Sequence, residues 1–138
     1  MIVAGIGCRR DVSAADVAAA LDWALCEAGL TSRDLGCIAT AAAKCDETGI
    51  SDTAAARGVR FVLVSPSDLV AAGRRCVSHS DSAMAAVGVP SVAEAAALAV
   101  AGNQGRLLMP RIVRGAVTCA LVKTEEDASV RQRRCGKS

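Results

Sequence analysis

Ile2-Val3-Ala4-Gly5-Ile6-Gly7, followed at once by Cys8-Arg9-Arg10-Asp11 and then by Ser13-Ala14-Ala15-Asp16, is the stretch that decides the fold. An apolar run with no polar alternation predicts a strand buried on both faces, as in a parallel sheet. Ser13 with Asp16 has the pattern of a helix N-cap. Val17, Leu21, Ala24, Leu25 and Ala28 then fall along one helical face, and Gly29 ends the helix. Strand, glycine turn and helix in that order are the opening of an α/β domain.

The same grammar continues. Cys37 to Thr40 predicts a second strand, which leads into the polar stretch Lys44-Cys45-Asp46-Glu47-Thr48-Gly49 and a short Ala-rich helix from Ser51 to Arg57 closed by Gly58. Val59 to Val64 is a third strand, and Ser65-Pro66-Ser67-Asp68 starts a helix running to Ala72. Periodicity fades between Cys76 and Gly88, which predicts a serine-rich mobile loop with at most one helical turn. Ser91-Val92-Ala93-Glu94 opens a last helix through Ala101. Arg106 to Met109 and Gly115 to Val122 read as strands pairing around the segment from Pro110 to Arg114. The expected architecture is a single three-layer open sheet, mostly parallel, with helices on both faces and an antiparallel edge hairpin at the C-terminal end. Residues 1–123 form the domain, and the charged stretch 124–138 is a frayed tail.

Composition narrows the function. The chain has 138 residues, near the prior of about 150 for one domain. It is 52% hydrophobic and 22% charged with a net charge of +2, which excludes a disordered polyelectrolyte and leaves no overall field to select a nucleic acid or a membrane surface. Aromatics make up 1%, so base-stacking modules are excluded, and Trp23 and Phe61 sit in apolar stretches that suggest core roles. No apolar run reaches the roughly 20 residues needed to span a bilayer, and Met1 to Gly7 reads as a buried strand rather than a signal peptide. Seven cysteines with no CxxC pair suggest reduced thiols in the cytoplasm, most of them packed as small hydrophobes, Cys26, Cys37 and Cys119 among them. With His79 the only histidine, no metal site is expected.

In open α/β sheets ligands sit beyond the carboxyl ends of the strands, which selects the loops to inspect. After the first strand, Gly5 and Gly7 permit close approach, Cys8 lies beside cations, and Arg9 and Arg10 can fork onto carboxylates or phosphates. Arg-Arg-Asp is equally readable as a solvated turn. A nucleotide site resting on Gly5-x-Gly7 lacks its third glycine, since Arg10 stands there. After the second strand, Lys44, Asp46 and Glu47 could orient a substrate and supply a general base, although such clusters are usually solvated surface. Glu94, third residue of a capping box, is expected to bond the backbone N–H of Ser91 or to stand over a ligand at the mouth of the sheet, two roles that do not exclude each other. His79 reads as a surface histidine, since no nucleophile elbow accompanies it.

Gly5-Ile6-Gly7-Cys8-Arg9-Arg10, Lys44-x-Asp46-Glu47-x-Gly49, Gly88-Val89-Pro90-Ser91-Val92-Ala93-Glu94-Ala95-Ala96-Ala97-Leu98 and Gly115-Ala116-Val117-Thr118, in that order, resemble the CobE family. That family is also the C-terminal domain of CbiG, the cobalt-precorrin-5A hydrolase of cobalamin biosynthesis. The resemblance implies a cytoplasmic protein that binds or acts on a precorrin or corrin-ring intermediate and works alongside other cobalamin-pathway enzymes. It implies no nucleic acid, membrane or cofactor. In the hydrolase the reaction opens a ring-A lactone and releases acetaldehyde; the alternative is a noncatalytic binding and hand-over protein. The implied substrate-binding residues are Gly5, Gly7, Cys8, Arg9, Arg10, Asp46 and Ser91. For a hydrolytic version, Glu47 or Glu94 would activate water and Lys44 would stabilise the oxyanion.

Overall fold

A computed structural model describes residues 1–8, 11–42 and 47–124. The first strand, β1 (Ile2–Cys8), is followed by α1 (Ala14–Glu27), β2 (Leu35–Ala41), α2 (Thr48–Arg57), β3 (Arg60–Val64), α3 (Pro66–Gly73), α4 (Asp81–Val87), α5 (Val92–Ala101), β4 (Gly105–Arg114) and β5 (Val117–Thr124). Among the described residues the strands form one sheet in the order β3-β2-β1-β5-β4. The β1/β2 and β2/β3 pairs are parallel, whereas β1/β5 and β5/β4 are antiparallel. The expected α/β sheet with an antiparallel C-terminal hairpin is therefore present.

Alternation along β1 builds two cores. Ile2, Ala4 and Ile6 face α1 and α2, meeting Val17, Leu21, Leu25 and Ile50, while Val3 faces the other way toward Leu98 and Ala101 of α5 and Leu69 of α3. The central strand is thus covered on both faces, which accounts for its unbroken apolar run. Gly5 and Gly7 set the depth of the second core. A Cβ on Gly5 would collide with the Ala93 carbonyl oxygen and lie 2.8 Å from its carbon and 3.0 Å from Ala97 Cβ. Alanines one turn apart and a glycine beneath them bring helix and sheet into backbone contact.

Because alanines bury little area each, α5 needs other fastenings, and the segment after α3 supplies them. The Arg75 guanidinium donates to the carbonyls of Leu98 and Gly102 at 3.1 Å, at the helix C-terminus, where a cation also complements the helix dipole. The next residues reach the other end of the same helix, as described below.

Several expectations need correction. The segment from Cys76 to Gly88 contains a seven-residue helix, α4, capped by the Ser80 hydroxyl accepting from Ala83 N–H and closed by Gly88 at φ 76°. β4 does not stop at Met109. It continues through Pro110 to Arg114, so the hairpin turns at Gly115-Ala116 and not across residues 110–114. Proline is tolerated because β4 is the sheet edge, and the register shifts around Met109 absorb it. α2 begins at Thr48, three residues before the predicted start at Ser51. Trp23 is 37% exposed, with the Arg114 Cζ 5.3 Å from its ring centroid, and Cys26 is exposed too. Phe61, Cys37 and Cys119 do join the cores, Phe61 from a half-buried position. Thr124 still belongs to β5, and the rest of the expected tail lies outside the described residues. No described helix is long and apolar enough to cross a membrane.

Candidate functional site

The carboxyl ends of β1 and β2 open beside the start of β5, since Cys8 pairs with Val117 and Gly7 with Thr118. Beyond the last paired position of β1 and β2, Gly5 against Ala39, the Thr40 hydroxyl donates to the Ile6 carbonyl at 2.6 Å. On the other side the Thr118 hydroxyl donates to the Gly7 carbonyl at 3.1 Å. Two side-chain hydroxyls thereby hold the exit of β1 between its neighbours. The first turn of α5 covers it, with Val92 Cβ 3.5 Å and Ala93 N 3.7 Å from the place a Gly7 Cβ would occupy.

Ser91 and Glu94 stand at this helix start. The buried Ser91 hydroxyl accepts from the Glu94 N–H at 3.2 Å, so the serine half of the expected capping box is made. The carboxylate half is not directed at Ser91. Glu94 Oε1 accepts from the N–H groups of Val77 at 2.7 Å and Ser78 at 3.0 Å, and Oε2 accepts from Arg111 N–H at 2.8 Å. The side chain is 0% exposed. Burial by itself raises the pKa of this carboxyl, but the amides of Arg111, Ser78 and Val77 together with the Ser78 hydroxyl outweigh it and hold the pKa below the ordinary glutamate value. Glu94 is therefore a buried, charged acceptor tying α5 to the turn before α4 and to the edge strand β4. The neighbouring Cys76 thiol contacts the Ser91 carbonyl at 3.6 Å, and burial, with the Glu94 charge adding to it, pushes its pKa up to about 11.

Glu47 is the N-cap residue of α2 and is half-buried, its Oε1 accepting from the Asp11 N–H at 3.0 Å. Asp11 has φ 61°, a left-handed conformation unusual for a residue other than glycine. The loops after β1 and β2 are thus joined. Gly49 makes the joint possible, for a Cβ there would lie 2.6 Å from the Val12 carbonyl oxygen. The Thr53 hydroxyl lies between two carbonyls, that of Gly49 in its own helix at 2.8 Å and that of Ala14 at the start of α1 at 3.2 Å, so its single proton is shared between capping its own turn and tying α2 to α1.

Of the residues singled out from sequence, Gly5, Gly7, Cys8, Ser91 and Glu94 come together around the exit of β1, and Glu47 reaches the loop that follows it. Arg9, Arg10, Lys44 and Asp46 lie outside the described residues, as does Cys45. His79 is exposed and sits 3.0 Å from Asp81, an ion pair at the surface when protonated. Among the described residues no cluster of His, Cys, Asp or Glu could hold a metal. Sequence reasoning gave no role to Thr40 and Arg111, and named Thr118 only as the end of a motif. The signal for Arg111 was present: between Glu94 and Glu125 there is no acidic residue, while Arg106, Arg111, Arg114 and Lys123 are all basic.

These features define a small α/β domain, an open sheet covered on both faces with its loops gathered at the carboxyl ends of β1 and β2. Over residues 2–122 the chain matches, and belongs to, the family described as cobalamin synthesis G C-terminus, and it is a cobalamin-biosynthesis protein of the CobE and CbiG C-terminal type. Protein CobE of a Sinorhizobium species is 33% identical over 120 residues, 87% of this chain and 78% of that protein. The crystal structure of CobE, a protein from the cobalamin (vitamin B12) biosynthetic pathway, superposes with a TM-score of 0.85 at 34% identity, covering 91% of this chain and 93% of that one. A cobalt-precorrin-5A hydrolase of Priestia megaterium is 28% identical over 102 residues, which is 74% of this chain and 27% of the hydrolase.

Proposed function

We propose that the protein binds a corrin-ring intermediate of cobalamin biosynthesis at the carboxyl edge of its sheet and holds it for the other enzymes of the pathway. The supporting observation is the state of Glu94. The Glu94 carboxylate, carried by the helix turn that covers the exit of β1, is wholly buried and hydrogen-bonded to amides from two segments, an arrangement suited to shaping a binding edge and unsuited to activating water. Corrin precursors are macrocycles fringed with acetate and propionate groups, so recognition falls to cations and backbone donors. Arg9 and Arg10 would clamp rim carboxylates in bidentate fashion, with Lys44 and Asp46 contributing further polar contacts and Cys8 at the approach, while the buried Gly5, Gly7 and Ser91 would shape the edge from beneath α5 and from its start.

The measurement is co-elution of the purified protein with a metal-free corrin-ring acid, together with a shift in the visible absorbance of the ligand. Saturable binding that weakens when Arg9 and Arg10 are replaced by glutamine is the expected result. Saturable binding of a nucleotide, with no binding of any precorrin or corrin acid, would sink the proposal.

One observation favours a second reading, hydrolysis of a ring-A lactone with release of acetaldehyde: the match to the cobalt-precorrin-5A hydrolase. Glu47 would then act as the base and Lys44 would stabilise the oxyanion. A single-turnover assay for acetaldehyde separates the two, since a carrier yields none.

A further inference from the structure

We infer that Arg111 is a carboxylate-binding residue at the same edge, and that Glu94 is the positioning residue that fixes it there. The inference rests on the ring-acid reading above and names a contact from the β4 side of the sheet.

Around Arg111 the pairing of β4 with β5 is irregular, with register shifts between Leu107 and Met109 and again between Met109 and Ile112. Pro110 has no N–H to offer, and the Arg111 N–H leaves the ladder for Glu94 Oε2, 2.8 Å away. Bulges of this kind re-aim side chains and are frequent beside binding sites. The far partner of the bulge is the first turn of α5, the turn that covers the exit of β1, so the Arg111 backbone is anchored within one side chain's reach of the candidate site.

Arg111 is half-buried, and among the described residues its guanidinium has no hydrogen-bond or ion-pair partner. Among the described residues Glu94 makes no ion pair with it; its carboxylate oxygens accept from the backbone amides of Val77, Ser78 and Arg111 instead. The chain is free of acidic residues from Ala95 to Thr124. A half-buried arginine on a fixed backbone, in a stretch of sequence with no acidic residue, is suited to grip a carboxylate on a ligand bidentately. Glu94 acts only through Arg111 and the turn at Val77 and Ser78, and touches no ligand.

The test uses the full chain and uroporphyrin, an octacarboxylate tetrapyrrole, titrated by its absorbance and fluorescence. Arg111→Gln should weaken binding about 10- to 100-fold, the loss expected for a charge-assisted pair. Arg111→Lys should lose less, keeping the charge without the fork. Glu94→Gln should weaken binding too, and should speed hydrogen exchange at the Val77, Ser78 and Arg111 amides. The double variant should bind no more weakly than Arg111→Gln alone. Wild-type affinity in Arg111→Gln, with binding still lost on replacing Arg9 and Arg10, overturns the inference and leaves the ring-acid reading standing. Equal losses from Glu94→Gln with and without Arg111 overturn the positioning role. Wild-type protein that binds neither uroporphyrin nor any corrin acid overturns both.

Discussion

Gly5→Ala is the sharpest probe of how the site is built. The added Cβ would overlap the Ala93 carbonyl oxygen and stand 2.8 Å from the Ala93 carbonyl carbon, where carbon atoms prefer about 3.5–4.0 Å. At least ~0.7 Å of movement is needed for the carbon contact alone, and the atoms in the way are helix backbone. α5 cannot simply slide, since Ser91 and Glu94 hold its start and Arg75 holds its end. Overpacking of this kind costs about 1–3 kcal/mol, and the pinned helix puts this site at or above the top of that range. For a domain of this size a loss of about 3 kcal/mol lowers Tm by roughly 10 °C. Gly36→Ala is the control. Its new Cβ would meet the Met1 side chain, with the Ile2 carbonyl oxygen at an ordinary 3.8 Å, and a flexible terminal side chain can move aside. Replacing a strand glycine should then be neutral or stabilise by up to about 0.5–1 kcal/mol. Urea denaturation of both variants decides the matter. Equal stability of Gly5→Ala and the wild type would show that α5 is not seated on β1 as described.

Thr40→Val keeps the shape of the side chain but removes the donor to the buried Ile6 carbonyl, and should cost about 1–3 kcal/mol in urea denaturation. Glu94 has a folded-state pKa below its unfolded value, so its contribution to stability is complete above that unfolded value, about 4.5, and disappears as pH falls through the folded one. Glu94→Gln should therefore be less stable than wild type at neutral pH and should show a flatter acid limb when Tm is followed from pH 6 downward. An acid limb as steep as the wild type's is the contrary result. Alkylation at pH 8 should spare Cys76 and Cys119, whose thiols burial raises to about 11 and about 12, while exposed Cys26 is modified; peptide mass mapping reads this directly.

What was legible in the sequence is what local pattern encodes. β1 declared itself by an apolar run, α1 by period and caps, and α5 by Ser91 at its start and Gly102 at its end. α4 was missed because its residues, Asp81-Ser82-Ala83-Met84-Ala85-Ala86-Val87, follow a serine-rich stretch and present no apolar stripe of useful length. The second half of β4 was missed because Pro110 reads as a breaker unless the strand is known to be an edge, a fact of topology. Gly5 and Gly7 were recognised as sites of close approach. Sequence could not tell whether the approaching group is a ligand or a helix, and at Gly5 it is Ala93 and Ala97. The Glu94 carboxylate was beyond local reading altogether, because its amide partners lie 17 and 16 residues before it and 17 after it.

Those remote partners bear on how a domain of this shape could share in hydrolysis. A carboxylate holding three amide donors in a fully buried position must break hydrogen bonds before it can take a proton from water, and its lowered pKa makes it a poor base even then. Glu47 has one oxygen on the Asp11 amide and stays half-exposed, so of the two it alone keeps a lone pair within reach of solvent. Of the two carboxylates, a water-activating role would therefore fall to Glu47 in the loop after β2, and on the reading proposed above α5 and β4 would serve recognition. A Glu47→Gln variant that binds uroporphyrin as the wild type does, but loses whatever acetaldehyde release the wild type has, is the outcome this division of labour requires. Loss of binding in Glu47→Gln with the hydrogen exchange of the Asp11 amide unchanged contradicts it.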